Sequence, residues 1–197
     1  MKCLVVIAHP SQESLCRTVA LKAIETLRAA GHDVTVEDLY ARGFAPALLP
    51  EERESYYGQQ YHGDAVQAEI GRLRAAEGLV LCFPTWWFGF PAILKGWFDR
   101  VWAPGVAYDH ADDLGPIKPR LNGLRKVLAV TSLGAPWWVD RIVMRQPVKR
   151  VLRHAILGAC APEAKLEILS LYKAERLDAG QVQQFARKVE RALMRWK

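Results

Sequence analysis

Residues 83–101 read Phe83-Pro84-Thr85-Trp86-Trp87-Phe88-Gly89-Phe90-Pro91-Ala92-Ile93-Leu94-Lys95-Gly96-Trp97-Phe98-Asp99-Arg100-Val101. The stretch follows a short apolar run, Gly78 to Phe83, which reads as a buried strand. Three large aromatics stand in a row beside a glycine, and Pro91, a favoured first-turn residue, then opens a helix. A strand that passes through an aromatic turn into a helix forms a loop at the carboxyl edge of a sheet. In open α/β sheets that edge is where ligands bind. Exposed aromatics there suit a flat, aromatic ligand.

Outward from this stretch the chain alternates strands and helices. Lys2 to Ala8 is a nearly continuous β-branched and apolar run, expected for a central parallel strand buried on both faces. After a polar turn, His9 to Ser14, an amphipathic helix is predicted from Leu15 to Ala30, ended by Gly31-His32. Asp33 to Leu39 reads as a second strand, Asp64 to Ala76 as a helix, and Leu79 to Phe83 as the third strand. The helix from Pro91 runs to Trp102. Lys126 to Ser132 is the fourth strand, and Trp137 to Leu157 carries helical material. Lys165 to Leu171 is the fifth strand, and Ala179 to Trp196 is a closing amphipathic helix. Two long segments stand apart: Tyr40 to Gly63, polar and Pro-containing, with Tyr56, Tyr57 and Tyr61, and Ala103 to Leu124, rich in Gly and Pro. Loops of that length in a compact domain are functional or mobile. The alternation implies an α/β protein with five parallel strands, helices on both faces, and strand order 2-1-3-4-5.

With 197 residues and no linker, repeat or low-complexity tract, one domain spanning 1–197 is expected. The chain is 51% hydrophobic and 24% charged, as in ordinary globular proteins. Its formal net charge is +6, spread without any block of like charges, which argues against a nucleic-acid-binding tail. Such a surface attracts anionic ligands such as phosphates or dinucleotides; the other reading is a set of solvated helix faces. The four cysteines, Cys3, Cys16, Cys82 and Cys160, show no C-x-x-C spacing, and no disulfide framework is implied. The first apolar run is too short for a signal peptide, and no run reaches transmembrane length. A cytoplasmic protein, not integral to a membrane, is expected.

The turn after the first strand has neither G-x-G-x-x-G nor the P-loop pattern. Instead Ser11 or Ser14 can cap the next helix, leaving first-turn amides free for a phosphate; an ordinary cap is the alternative. Thr131-Ser132 with Gly134 ends the fourth strand with hydroxyls and an accessible backbone. In order 2-1-3-4-5 these ends and the aromatic turn are neighbours, a combination suited to a planar cofactor bearing a phosphate. No metal-ligand spacing is present.

The chain resembles the NAD(P)H:quinone oxidoreductase family of flavodoxin-like flavoproteins over about its first 135 residues. The family motif Q-W-F-G-x-P-A-I-L-K-G-W-F-E/D-R-V stands here as W-W-F-G-F-P-A-I-L-K-G-W-F-D-R-V. Ala8-His9-Pro10 with Ser14 resembles its phosphate loop, Asp38-Leu39-Tyr40 its D-L-Y, Gly105-Val106-Ala107-Tyr108 its F-A-Y, and Thr131-Ser132-Leu133-Gly134 its T-T-G-G. The resemblance implies a flavodoxin-like three-layer sandwich. It implies that His9, Ser14, Leu15 and Cys16 hold the cofactor phosphates and adjacent groups. Pro84, Thr85, Trp86, Trp87 and Phe88 would line the isoalloxazine ring, with Thr131, Ser132 and Gly134 on the other side. Trp87, Phe88 and Tyr108 would stack on nicotinamide or quinone.

Departures are local. The family Gln is Trp86, the second Tyr of its Y-x-Y pocket is His110, and one Gly of T-T-G-G is Leu133. The family's Tyr and His beside the flavin fall on Val139 and Arg145 by an ungapped count. A charged Arg145 facing the ring would stabilise its anionic reduced form; the rival reading is a solvent-facing arginine.

The implied activity is hydride transfer from NAD(P)H through flavin N5 to a quinone or similar acceptor, in a homodimer. FAD is the expected cofactor and FMN the alternative. Two other classes fit the family: a soluble ancillary subunit of a transport protein, which co-purification with a membrane partner would reveal, and a one-electron flavodoxin carrier. The carrier reading lacks support from an acidic composition or a T-x-T-G-x-T loop.

Overall fold

The computed structural model describes residues 1–58, 60–111 and 115–196. Five parallel strands form the sheet: β1 (Lys2–Ile7), β2 (Asp33–Asp38), β3 (Gly78–Pro84), β6 (Lys126–Leu133) and β7 (Lys165–Tyr172). Their order is β2-β1-β3-β6-β7, which is the expected 2-1-3-4-5. Between β3 and β6, Tyr108–Asp109 (β4) and Lys118–Pro119 (β5) pair as a small antiparallel ribbon within the long 103–124 segment. The register sets Ile7 beside Cys82 and Phe83 beside Thr131, so the ends of β1, β3 and β6 lie together at one edge.

Helices cover both faces. Leu4 and Val6 point into one core, which is shared with α3 (Gln67–Ala75) and α4 (Ala92–Val101). Cys3, Val5 and Ile7 point into the other, formed with α1 (Leu15–Ala29) and α7 (Ala179–Leu193). This alternation is the period-2 geometry of a strand acting on an apolar run. The 137–157 helical region is resolved into a π-helical segment, Val139–Val143, then α5 (Pro147–Arg150), a second π-helical segment, Val151–Ile156, and α6 (Leu157–Cys160). The 40–63 segment holds a short α2 (Pro50–Glu54) and a 3-10 turn, Ser55–Tyr57.

Helix α4 is held by charges buried beneath it. The Arg100 guanidinium donates to both Glu52 carboxylate oxygens at 2.6–3.0 Å and to the Ala45 carbonyl at 2.6 Å. Glu37, also buried, accepts from Trp97 Nε1 at 3.0 Å and Arg72 Nε at 2.8 Å. Gly96 is required where the 40s segment crosses the helix: a Cβ there would lie 2.1 Å from the Pro46 carbonyl oxygen. Trp97, Arg100 and Gly96 thus serve packing within the quoted stretch.

Breaking a buried pair leaves one charge unsatisfied, at a cost of about 3–5 kcal/mol. Arg100→Ala is expected to lower the urea-unfolding free energy by about that amount. A loss below about 1 kcal/mol would show that α4 is held otherwise.

Candidate functional site

The carboxyl edge of β1, β3 and β6 collects most of the residues singled out by sequence. Ser14 caps α1, and its Oγ accepts from the Arg17 amide at 3.2 Å. The amides of Leu15 and Cys16 have no acceptor among the described residues, so the helix start presents free donors. His9 Nδ1 accepts from the Ser11 amide at 3.0 Å. In neutral His9 this places the proton on Nε2, leaving a second donor. Arg17 pairs with Asp38 at the end of β2, which fixes α1 to the sheet.

The β3 end forms the second wall. Thr85 donates its amide to the Ser132 carbonyl at 2.8 Å, and its hydroxyl meets that of Thr131 at 2.5 Å. Both residues are thereby locked across the β3–β6 boundary. Next comes a tight turn: the Gly89 amide donates to the Trp86 carbonyl at 2.9 Å, with Trp87 (φ 50°) and Phe88 (φ 56°) in the left-handed region. Positive φ at both central residues is the type I′ arrangement, which favours Asn and Gly. Two aromatics occupy it here at a conformational cost, and Trp87 is 100% exposed. Trp86, 44% exposed, lies against the His9 ring at a centroid distance of 6.2 Å. Strained, solvent-exposed aromatics at a strand end make this turn a candidate ligand contact.

The β6 end closes the third side. Cys16 Sγ lies 3.7 Å from Ser132 Oγ, and burial pushes its thiol up to about 11, so it is neutral near pH 7. Gly134 is exposed beyond Leu133. His9, Ser14, Leu15, Cys16, Pro84, Thr85, Trp86, Thr131 and Ser132 therefore share this edge with the Trp87–Phe88 turn.

Tyr108 is not brought to this edge. Because β3 and β6 are parallel neighbours, α4 must carry the chain back to the amino edge. Its ten residues span about 15 Å, so the turn at its start and the Tyr108 segment beyond its end lie at opposite ends of the helix. Burial raises the Tyr108 phenol above its ordinary range. Arg145 is exposed with φ 55°, beside Gln146 at φ 51°. This fits the solvent-facing reading better than the ring-facing one. Sequence reasoning missed Asp140, which is buried, takes the Gln146 amide on its carbonyl and accepts from the Tyr172 hydroxyl at 2.9 Å. Its partner lies 32 residues away, a separation that no local pattern reveals.

An exposed apolar surface adjoins the site: Trp137, Trp138, Ile142, Val143 and Met144 follow β6. No metal-binding cluster is formed among the described residues, and none of their helices is long and apolar enough to cross a membrane.

A family model described as flavodoxin-like fold matches residues 1–193. NAD(P)H dehydrogenase (quinone) 1 of Rattus norvegicus is 32% identical over 209 residues, covering 87% of this chain and 75% of that protein. The NAD(P)H:quinone oxidoreductase from Methanothermobacter marburgensis superposes with TM-score 0.83 at 28% identity, covering 98% of this chain and 94% of the other. General stress protein 14 of Treponema denticola, solved in complex with FMN, gives TM-score 0.63 at 25% identity, covering 98% of each chain.

Relief of the turn strain is measurable. Trp87 is fully exposed, so Trp87→Gly forfeits little burial and removes a left-handed penalty of about 1–2 kcal/mol. Chemical denaturation is expected to show equal or higher stability for Trp87→Gly. A loss above about 1 kcal/mol would mean that the indole is needed for folding.

Proposed function

The chain belongs to the flavodoxin-like-fold family, alongside the NAD(P)H dehydrogenase (quinone) enzymes, and we propose that it is a flavin-dependent NAD(P)H oxidoreductase acting on a quinone or similar flat acceptor. The observation that carries this reading is the meeting of free helix-start amides, locked hydroxyls and a strained aromatic turn at one sheet edge. When bound, the flavin supplies the hydride-accepting N5 that takes two electrons from NAD(P)H and returns them to the acceptor. The Leu15 and Cys16 amides and His9 Nε2–H would hold its phosphate. Pro84, Thr85 and the backbone of Trp86 to Phe88 would line one side of the ring system, and Thr131, Ser132 and Gly134 the other. The indole of Trp87 would supply a stacking surface for nicotinamide and then for the acceptor. The FMN complex of the Treponema denticola relative supports FMN over the expected FAD.

Tyr108 can face such a ring only in another copy of the chain, because α4 separates the two ends within one copy. The exposed apolar surface after β6 supports a homodimer that joins them. Such a dimer would build an enclosed slot for two successive substrates, which an enzyme needs and a one-electron carrier does not.

Two measurements test the proposal. Chromatography of the flavin released by denaturation is expected to return FMN. Trp87→Ala is expected to retain flavin and lose about tenfold in kcat/KM for NAD(P)H-dependent quinone reduction, the size of one lost stacking contact. Protein that neither carries nor takes up flavin overturns the reading, as does Trp87→Ala with unchanged kcat/KM for both substrates.

A further inference from the structure

We propose that the outer edge of β7 is a docking site for an extended, acidic segment of a partner protein, which adds to the sheet as a further strand. The inference does not depend on the reductase reading. β7 pairs on one side only, with β6, and its other side is the end of the sheet. The amides of Lys165 and Lys173 both donate inward, to the Arg125 and Ala135 carbonyls at 2.9 and 3.3 Å. Successive residues of a strand turn their N–H and C=O to opposite sides. Leu166, Ile168, Ser170 and Tyr172 therefore turn theirs outward. These outward groups have no hydrogen-bond partner among the described residues, and all four residues are half-buried, within reach of another chain.

The opposite edge of the same sheet is guarded. On β2 the Val36 carbonyl accepts from the Arg42 guanidinium at 3.1 Å, and the Asp38 carbonyl accepts from the Arg42 amide at 3.0 Å. Asp33, Glu37 and Asp38 add charge along it. Charges and covering groups of this kind keep a sheet edge from pairing. β7 carries no charge over Ile168-Leu169-Ser170-Leu171-Tyr172, and its eight residues are ample for a ladder.

A groove of about 410 Å³ runs beside this edge, between β7 and α7. Leu171, Leu177 and Phe185 give it an apolar lining, against which every second side chain of an added strand can rest. Its described lining also carries two exposed cations, Arg141 and Lys188, and no carboxylate. The Arg141 guanidinium stands 6.0 Å from the centre of the Tyr172 ring, at the end of β7. A second copy pairing β7 with β7 would bring two such cationic grooves together, at a cost in like-charge repulsion, whereas an acidic strand satisfies both cations.

The test titrates a short peptide of alternating valine and glutamate, blocked at both ends, into the intact isotope-labelled chain. Saturable binding is expected to shift the amide resonances of Leu166, Ile168, Ser170 and Tyr172 and to slow their exchange with solvent. The same peptide with lysine for glutamate is expected to bind about tenfold more weakly or worse. So is the acidic peptide N-methylated at alternate residues, which keeps its side chains and loses the donors of one edge. Lys188→Glu, at an exposed position, is expected to weaken the acidic peptide about fivefold and to strengthen the lysine one. No binding up to about 1 mM peptide, equal binding of the acidic peptide and either control, or shifts confined to residues away from β7 overturns the proposal. Protection of the same amides by self-association without peptide assigns the edge to a second copy and also overturns it.

Discussion

The carboxylate of Glu52 meets the guanidinium of Arg100 inside the protein, and the orientation of α4 depends on that meeting. Neither group can leave water unless the other receives it, so the helix has one permitted seat. Glu37 reinforces that seat through Trp97 and Arg72. The aromatic turn hangs from one end of α4, and the segment bearing Tyr108 and His110 leaves the other. One rigid helix therefore fixes the spacing between the aromatic turn and the Tyr108 segment.

The sheet was readable from sequence because its strands are short apolar runs separated by helices of clear period. Leu4, Val6, Leu79 and Leu81 declare burial directly, and the edge they define follows from parallel order. The cap at Ser14 was readable as one of two candidates, and the structure selects it over Ser11. What stayed hidden depends on distance along the chain. Glu52 and Arg100 are 48 residues apart, and Asp140 and Tyr172 are 32 apart, so neither pairing leaves a local signature. Tyr108 was grouped with Trp87 and Phe88 by resemblance, but a ten-residue helix running back across the sheet parts them within one chain. The ribbon and α2 arose from two segments that sequence could describe only as long loops.

At the site itself, the division of labour is physical. Backbone amides and hydroxyls, whose positions are fixed by the sheet, supply recognition of charge and hydrogen-bonding edges. The aromatic turn supplies surface, held in a left-handed conformation that side chains of this size rarely adopt. The raised thiol of Cys16 keeps it a neutral lining group rather than a nucleophile. On the proposed reading such a set of groups would orient a redox cofactor and its substrates, leaving the two-electron chemistry to the cofactor.

The most direct measurement is anaerobic titration of the purified, flavin-loaded protein with NADH or NADPH, followed by visible absorption. The expected result is bleaching of the flavin bands at one equivalent of nucleotide per flavin, without a stable semiquinone, and return of the bands on adding a quinone. Bands that persist with both nucleotides, or that stop at a stable semiquinone, would contradict a hydride-transferring reductase.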